Sequence, residues 1–293
     1  MASVLSSLRY LLADIIGDDD DEPPLLPDGL PEGVAPLVGA GIDALIDYQG
    51  PSYAQLYVDR LRRFVGRAGL DAETLGEIAR LMAIRMSYED PIRIAQLKLA
   101  EAGHCAGGSH LPATGDSRKF RMDELIGALP AVVAGPVLDP LEWIGWDCAP
   151  VTISFSDAGR WRVRRLKIEA ALKRWRLSSI RYAKERVWVE RWLHMIDRSL
   201  VKQPAAAPAV VQTATMITGY GDAYRQGLAD WHAIIDGLVK PTFDGALPLT
   251  DLAGAIAEAR AAAMPDRRQV ALKRRIAEIR ALALDVDASA VAG

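Results

Sequence analysis

Apolar side chains recur every three to four residues over most of this 293-residue chain, and that period is the signature of an amphipathic helix. In PSYAQLYVDRLRRFVG, residues 51–66, the repeat runs through Tyr53, Leu56, Tyr57, Leu61 and Phe64. Pro51 stands at a first-turn position, where its missing N–H costs nothing. The next segment, LDAETLGEIARLMAIRMSYED, places Leu75, Ile78, Ala79, Met82 and Met86 on one face, with Asp71 or Thr74 as the cap. Pro91 is expected to end or kink that helix near residues 88–90, before a further helix in PIRIAQLKLAEAG. Helices are also expected at about 122–129, 158–175 and 178–202, after Pro208, in LADWHAIIDGLVKP up to Pro241, and at about 250–263 and 266–284. Only VTISF, residues 151–155, reads as a strand, and one strand needs a partner. The expected fold is all-α, with a minor β element near 151–155.

The chain is 50% apolar and 25% charged, as ordinary globular proteins are. The reading along it is an N-terminal helix at 1–17, an acidic proline-rich linker at 18–35, a helical domain at 36–285 and a small-residue tail at 286–293. Between Asp14 and Glu32 stand eight acidic residues and no basic one, which favours an extended, solvated segment. No apolar run approaches the roughly 18 residues of a spanning helix. Arg9 and Asp14 interrupt the opening apolar stretch, which makes it a poor signal peptide. A cytoplasmic location without membrane contact is expected. Cys105 and Cys148 form no spaced pair, which fits free thiols in a reducing compartment. Two cysteines are too few for an iron–sulfur cluster, which takes about four thiolates.

Charge is concentrated between Arg160 and Arg191, where twelve basic residues meet three acidic ones and Trp161, Trp175, Trp188 and Trp192 are interleaved. Phosphate contact and base stacking need such a mixture. Amphipathic helices with tryptophans inward and arginines outward explain it equally, and the acidic chain as a whole argues against nucleic acid. His104, Cys105 and His110 lack the paired spacing of a zinc site, so no metal is assigned. His194 and His232 read as partly buried histidines bonded to neighbours. VGAGID, residues 38–43, follows no strand and opens a helix rather than a nucleotide loop.

TGYGDAYRQG, residues 218–227, is the densest local signal. Gly219 and Gly221 can take positive φ, so a tight turn is expected after a helix ending near Ile217. Asp222 is placed to cap the following helix, with Tyr220 and Tyr224 on either side of the cap and Arg225 pairing with a nearby acid. A glycine-rich turn ahead of a helix is also a candidate anion site.

ITGYGDAYRQGLADW resembles a segment of the helical domain of unknown function that forms the C-terminal half of long indolepyruvate oxidoreductase beta subunits. LIDYQGPSYAQLYVDRL (45–61), IARLMAIRMSYEDPIRIAQLK (78–98) and LKRWRLSSIRYAKERVWVERWL (172–193) resemble it in the same order, over about 36–285. In that family the beta subunit begins with a Rossmann-like domain. Its alpha-subunit partner carries thiamine diphosphate and iron–sulfur clusters, and the complex oxidatively decarboxylates aryl 2-oxo acids to acyl-CoA. Residues 1–35 here stand in place of the Rossmann-like domain, and Ala223 and Tyr224 stand where threonine and often histidine are expected. The resemblance implies a non-catalytic accessory or assembly subunit holding no cofactor of its own. Its implied partners are a thiamine- and cluster-containing subunit, a separate Rossmann-like subunit, or both; self-association is left open.

Two other functions stay open beside that one. The chain is either a stand-alone enzyme or binder of an anionic small molecule, such as an aryl oxo acid or CoA ester, or a nucleic-acid module using residues 160–191. The candidate anion or partner site comprises Tyr48, Tyr88, Arg174, Arg176, Arg181, Gly219, Tyr220, Gly221, Asp222 and Arg225.

Overall fold

The computed structural model describes residues 22–88, 92–94, 97, 116–129, 131–146, 149–155, 176–219, 221–264, 266 and 268–292. The expected helices at 1–17 and 158–175, most of PIRIAQLKLAEAG, and His104, Cys105 and His110 lie outside them. The fold is all-α with one two-stranded sheet among the described residues. In chain order the helices are α1 (Ala35–Tyr48), α2 (Pro51–Arg62), α3 (Ala72–Met86), α4 (Met122–Gly127), α5 (Ala131–Trp143), α6 (Ile180–Lys202), α7 (Ala207–Gln212), α8 (Gly221–Ile234), α9 (Lys240–Phe243), α10 (Leu252–Ala261) and α11 (Val270–Ala292). Contacts divide the chain into two compact units. One holds the described residues within Met1–Pro24, Ile42–Leu56 and Met86–Val187, the other those within Leu25–Gly41, Tyr57–Arg85 and Trp188–Gly293.

In the first unit, β1 (Asp116–Arg121) and β2 (Pro150–Phe155) pair antiparallel, Arg121 opposite Pro150 and Asp116 opposite Phe155. This answers the question of the strand partner. DSRKFR is too polar to announce a strand in the sequence, and the pairing defines it. Helix α4 follows directly, and Glu124 reaches back to accept from the Arg121 N–H at 3.1 Å, occupying an otherwise free donor at its start. Helix α5 contains Pro136 and Pro140, which hid it in the sequence. It ends in a Schellman closure: Gly145, with φ 71°, donates to Glu142 O at 3.1 Å, and Trp146 donates to Leu141 O at 2.9 Å.

The second unit is packed around three tryptophans. Trp188 stacks on Trp192 at 6.0 Å and meets Trp231 edge-on at 5.2 Å, and all three are buried. The tryptophans of α6 thus face inward, as its periodicity requires, while Lys184 and Arg186 are exposed. Trp231 Nε1 donates to Thr213 Oγ1 at 3.0 Å, which in turn donates to Val210 O at 2.6 Å. The cap of α3 is Asp71, whose Oδ1 accepts from Thr74 N at 2.7 Å and whose pKa is lowered by that bond. Gly39 and Gly41 lie inside α1 rather than at its start. A Cβ on Gly41 would stand 2.8 Å from Tyr57 Oη, so the glycine admits the tyrosine ring.

Two expectations at the C-terminal end are corrected. Pro241 does not end its helix: α8 continues through a π-helical segment, Ile235–Val239, into α9. Pro241 has no N–H to return to Gly237 O, and the wider π turn makes room for its ring. Arg280 of α11 donates to that carbonyl at 2.7 Å. The small-residue tail is also helical, since α11 runs to Ala292. His194 is exposed rather than partly buried.

His232 accepts from Arg191 Nη1 at 2.9 Å, and Arg191 also bonds Asp236. Burial and then the Arg191 charge hold the His232 pKa below its ordinary 6.5, against the pull of Asp236.

Arg280→Ala should lower stability by about 1 to 3 kcal/mol in urea unfolding, because a charged donor is lost from a partly buried carbonyl. Around His232 the unfolded chain binds the proton more tightly. Stability is therefore complete above about pH 6.5 and falls as pH drops through that value toward the lower native pKa. His232→Gln should flatten this slope in melting curves taken between pH 7 and pH 5.

Candidate ligand-binding site

Four of the candidate residues meet in the first unit. Tyr48 and Tyr88 rings cross at 5.8 Å, Arg176 lies over Tyr48 at 3.9 Å, and Arg181 lies over Tyr88 at 5.3 Å. Arg176 is only 1% exposed and donates through Nη1 to Tyr48 O at 2.9 Å and Gln49 Oε1 at 3.1 Å. Tyr48 is the last residue of α1, so the guanidinium satisfies a terminal carbonyl and sits at the negative end of the helix dipole. Arg181 pairs with the buried Glu185 at 3.0 Å. These arginines serve the protein's own carbonyls and carboxylate, so the structure favours a packing role for them over an anion site. Arg174 lies outside the described residues, with Arg160 to Lys173; Arg191 is held by His232 and Asp236.

The glycine turn lies in the second unit. Gly219 and Gly221 have φ of 67° and 68°, as a turn there requires. Helix α8 begins at Gly221, so Asp222 stands inside the first turn rather than at the cap, where the helix dipole still favours it. Its carboxylate is 4.0 Å from Arg225 Nε. Tyr220 lies outside the described residues. The chain ahead of the turn is held by Arg85, which is buried, donates to Ile217 O at 2.8 Å, and lies 5.2 Å from the Trp188 ring and 5.8 Å from the Tyr224 ring.

Beside the turn opens a cavity of about 760 Å³, within the range of small-molecule sites. One wall is a face of α8, where Asp222, Gln226 and Asp230 follow at four-residue spacing. The end of α10 lines it as well, with Ala257, Arg260 and Ala261, and Met216 and Met264 add apolar surface. Gly227 sets how closely α8 approaches the preceding segment. A Cβ there would collide with Met216 O and stand 3.1 Å from Met216 C and 3.2 Å from Ile217 Cα.

Arg260 carries the polarity of this cavity. Its Nη2 donates to Thr215 Oγ1 at 2.8 Å, and the Thr215 hydroxyl in turn donates to Gln212 O at 2.7 Å, which fixes its orientation. No carboxylate among the described residues pairs with it, and burial lowers its pKa. The turn reading thus reaches the site's edge through Asp222. It missed Thr215, Gln226, Asp230 and Arg260. The spacing of Asp222, Gln226 and Asp230 was readable as a polar stripe, and Arg260 as a lone cation among alanines.

A family described as "Family of unknown function (DUF6537)" matches residues 34–237. The chain belongs to this family. Its span includes α8 and the turn, whereas α10, which brings Arg260, lies beyond it. No curated protein and no solved structure matches the chain. Among the described residues of this DUF6537 protein, no group of three metal-ligating side chains occurs, and no helix is long and apolar enough to cross a membrane.

A second exposed feature lies in the first unit. The Schellman closure of α5 presents Trp143 at 88% exposure and Trp146 at 65%, with Ile144 half exposed between them.

Gly227→Ala should destabilise the protein by roughly 1 to 3 kcal/mol, since the obstacle is backbone rather than a movable side chain. Chemical denaturation of the purified variant measures this directly.

Proposed function

We propose that the chain is a non-catalytic accessory or assembly subunit of a 2-oxoacid oxidoreductase of the indolepyruvate type, working in the cytoplasm. Two things support this reading. The resemblance over 36–285 supplies the class of complex, and the loop after α5 supplies a docking surface. Large exposed aromatics are the side chains that carry interface energy, and Trp143 and Trp146 are displayed on backbone already closed by its own hydrogen bonds. A preformed loop spares the ordering cost of association. The partner is a thiamine diphosphate- and cluster-carrying subunit or a separate Rossmann-like subunit, which would hold the cofactors. Nucleic acid is disfavoured by the internal engagement of Arg176, Arg181 and Arg191.

The cavity beside the turn favours a second reading, in which the chain binds a small carboxylate-bearing molecule through Arg260. The two readings use different units and are separable.

Affinity purification of the chain from its native cells at low salt, followed by mass spectrometry and an absorbance scan for clusters, tests the first. Co-elution of a cluster-containing subunit, lost in a Trp143→Ser/Trp146→Ser double variant that melts like the parent, is the expected result. Elution of the chain without such a subunit, or retention of it by the double variant, overturns the assignment.

A further inference from the structure

Asp230 is 6% exposed, and the partners of its carboxylate among the described residues are neutral amides. Two neutral donors, Gln226 Nε2 at 2.8 Å and Gln269 Nε2 at 2.7 Å, converge on the same oxygen, Oδ1. No described residue hydrogen-bonds to Oδ2. A carboxylate this deeply buried ordinarily takes a positive partner, because desolvating an unpaired charge is costly. In the same cavity stands the reverse case, a half-buried guanidinium bonded among the described residues only to a hydroxyl. Asp230 and Arg260 line one cavity, yet they form no ion pair with each other.

Two opposite charges that line one cavity without pairing, each with valences to spare, are complementary to a molecule carrying both charges itself. Building on the small-carboxylate reading of this cavity, we propose that it binds a free amino acid, with the carboxylate on Arg260 and the ammonium on Asp230. Met216, Met264 and the alanines at 223, 257, 261 and 263 leave an apolar space for the side chain, so a nonpolar amino acid is the class that fits. Asp222 is the weaker ammonium partner, being exposed at the rim and already 4.0 Å from Arg225. A 2-oxo acid or simple carboxylate would satisfy Arg260 and leave Asp230 uncompensated. The convergence of two glutamine amides on Oδ1 then has a use: it orients the carboxylate and leaves Oδ2 for the ligand.

The test is titration calorimetry of the full chain with the nonpolar L-amino acids at millimolar concentration, and with phenethylamine and 3-phenylpropanoate, which each lack one charged end of phenylalanine. At least one amino acid should bind. Where phenylalanine is that ligand, it should exceed both analogues by roughly tenfold or more; for another amino acid, its own amine and acid analogues are compared. Asp230→Asn, which keeps an Oδ1 acceptor, should abolish the preference for the amino acid over the amine-free acid, and Arg260→Gln should remove binding of both. An amine-free acid binding as tightly as the amino acid overturns the amino-acid assignment while leaving the carboxylate reading standing. Failure of every compound overturns both, and these wild-type titrations decide even if a variant does not fold.

Discussion

The start of α8 depends on one buried cation. Arg85 lies at the end of α3, flanked by the Trp188 and Tyr224 rings, and its guanidinium holds the carbonyl of Ile217. Ile217 is where the 3-10 turn at 213–216 stops, so its carbonyl has no helical successor to receive from. A buried carbonyl left there without a donor would cost about 1 to 3 kcal/mol, and two aromatic faces would lose a cation at the same time. With that carbonyl pinned, the two positive-φ glycines turn the chain in the space of a few residues. The position of Asp222, Gln226 and Asp230 follows from where the turn releases it.

Close packing then shapes the cavity. Gly227 lets α8 approach the Met216–Ile217 backbone, and Thr213, fixed by Val210 O, accepts from Trp231. These contacts set the α8 wall, while Thr215, from the same 3-10 turn, orients Arg260 of α10. Among the described residues, Arg260 and Asp230 are thus held by a hydroxyl and by side-chain amides rather than by ion pairs. Neutral partners position a charge without neutralising it, which leaves the charge for a ligand.

The helices in which periodicity, cap and proline position agree were legible from residues alone: Pro51 opens α2, Asp71 caps α3, and α6 turns its tryptophans inward. The glycine turn was legible because positive φ restricts the choice of residue. Elements defined by distant contacts were not. Strand β1 is polar and exists by pairing with residues some thirty positions later; α5 is disguised by two prolines; Pro241 is absorbed by a π turn and met by Arg280 from another helix. The candidate site was half legible for the same reason. Asp222 sits in the local motif, whereas Arg260 reaches the cavity only because α10 packs beside α8.

Arginine was the residue most easily misread, since Arg176, Arg181, Arg85, Arg280 and Arg260 are equivalent in sequence. In the fold, Arg176, Arg85 and Arg280 donate to carbonyls where a helix ends, a turn begins or a proline interrupts the ladder, and Arg181 neutralises a buried glutamate. Such guanidiniums repair the protein's own polar accounts. Arg260 is different because its partner among the described residues, a hydroxyl, uses one donor of five and brings no negative charge, while burial around it removes water. A cation that is partly desolvated but left uncompensated does little for the fold and is suited to meeting an external anion. That distinction, and not the abundance of basic residues between Arg160 and Arg191, is what makes the cavity beside the glycine turn a candidate ligand site.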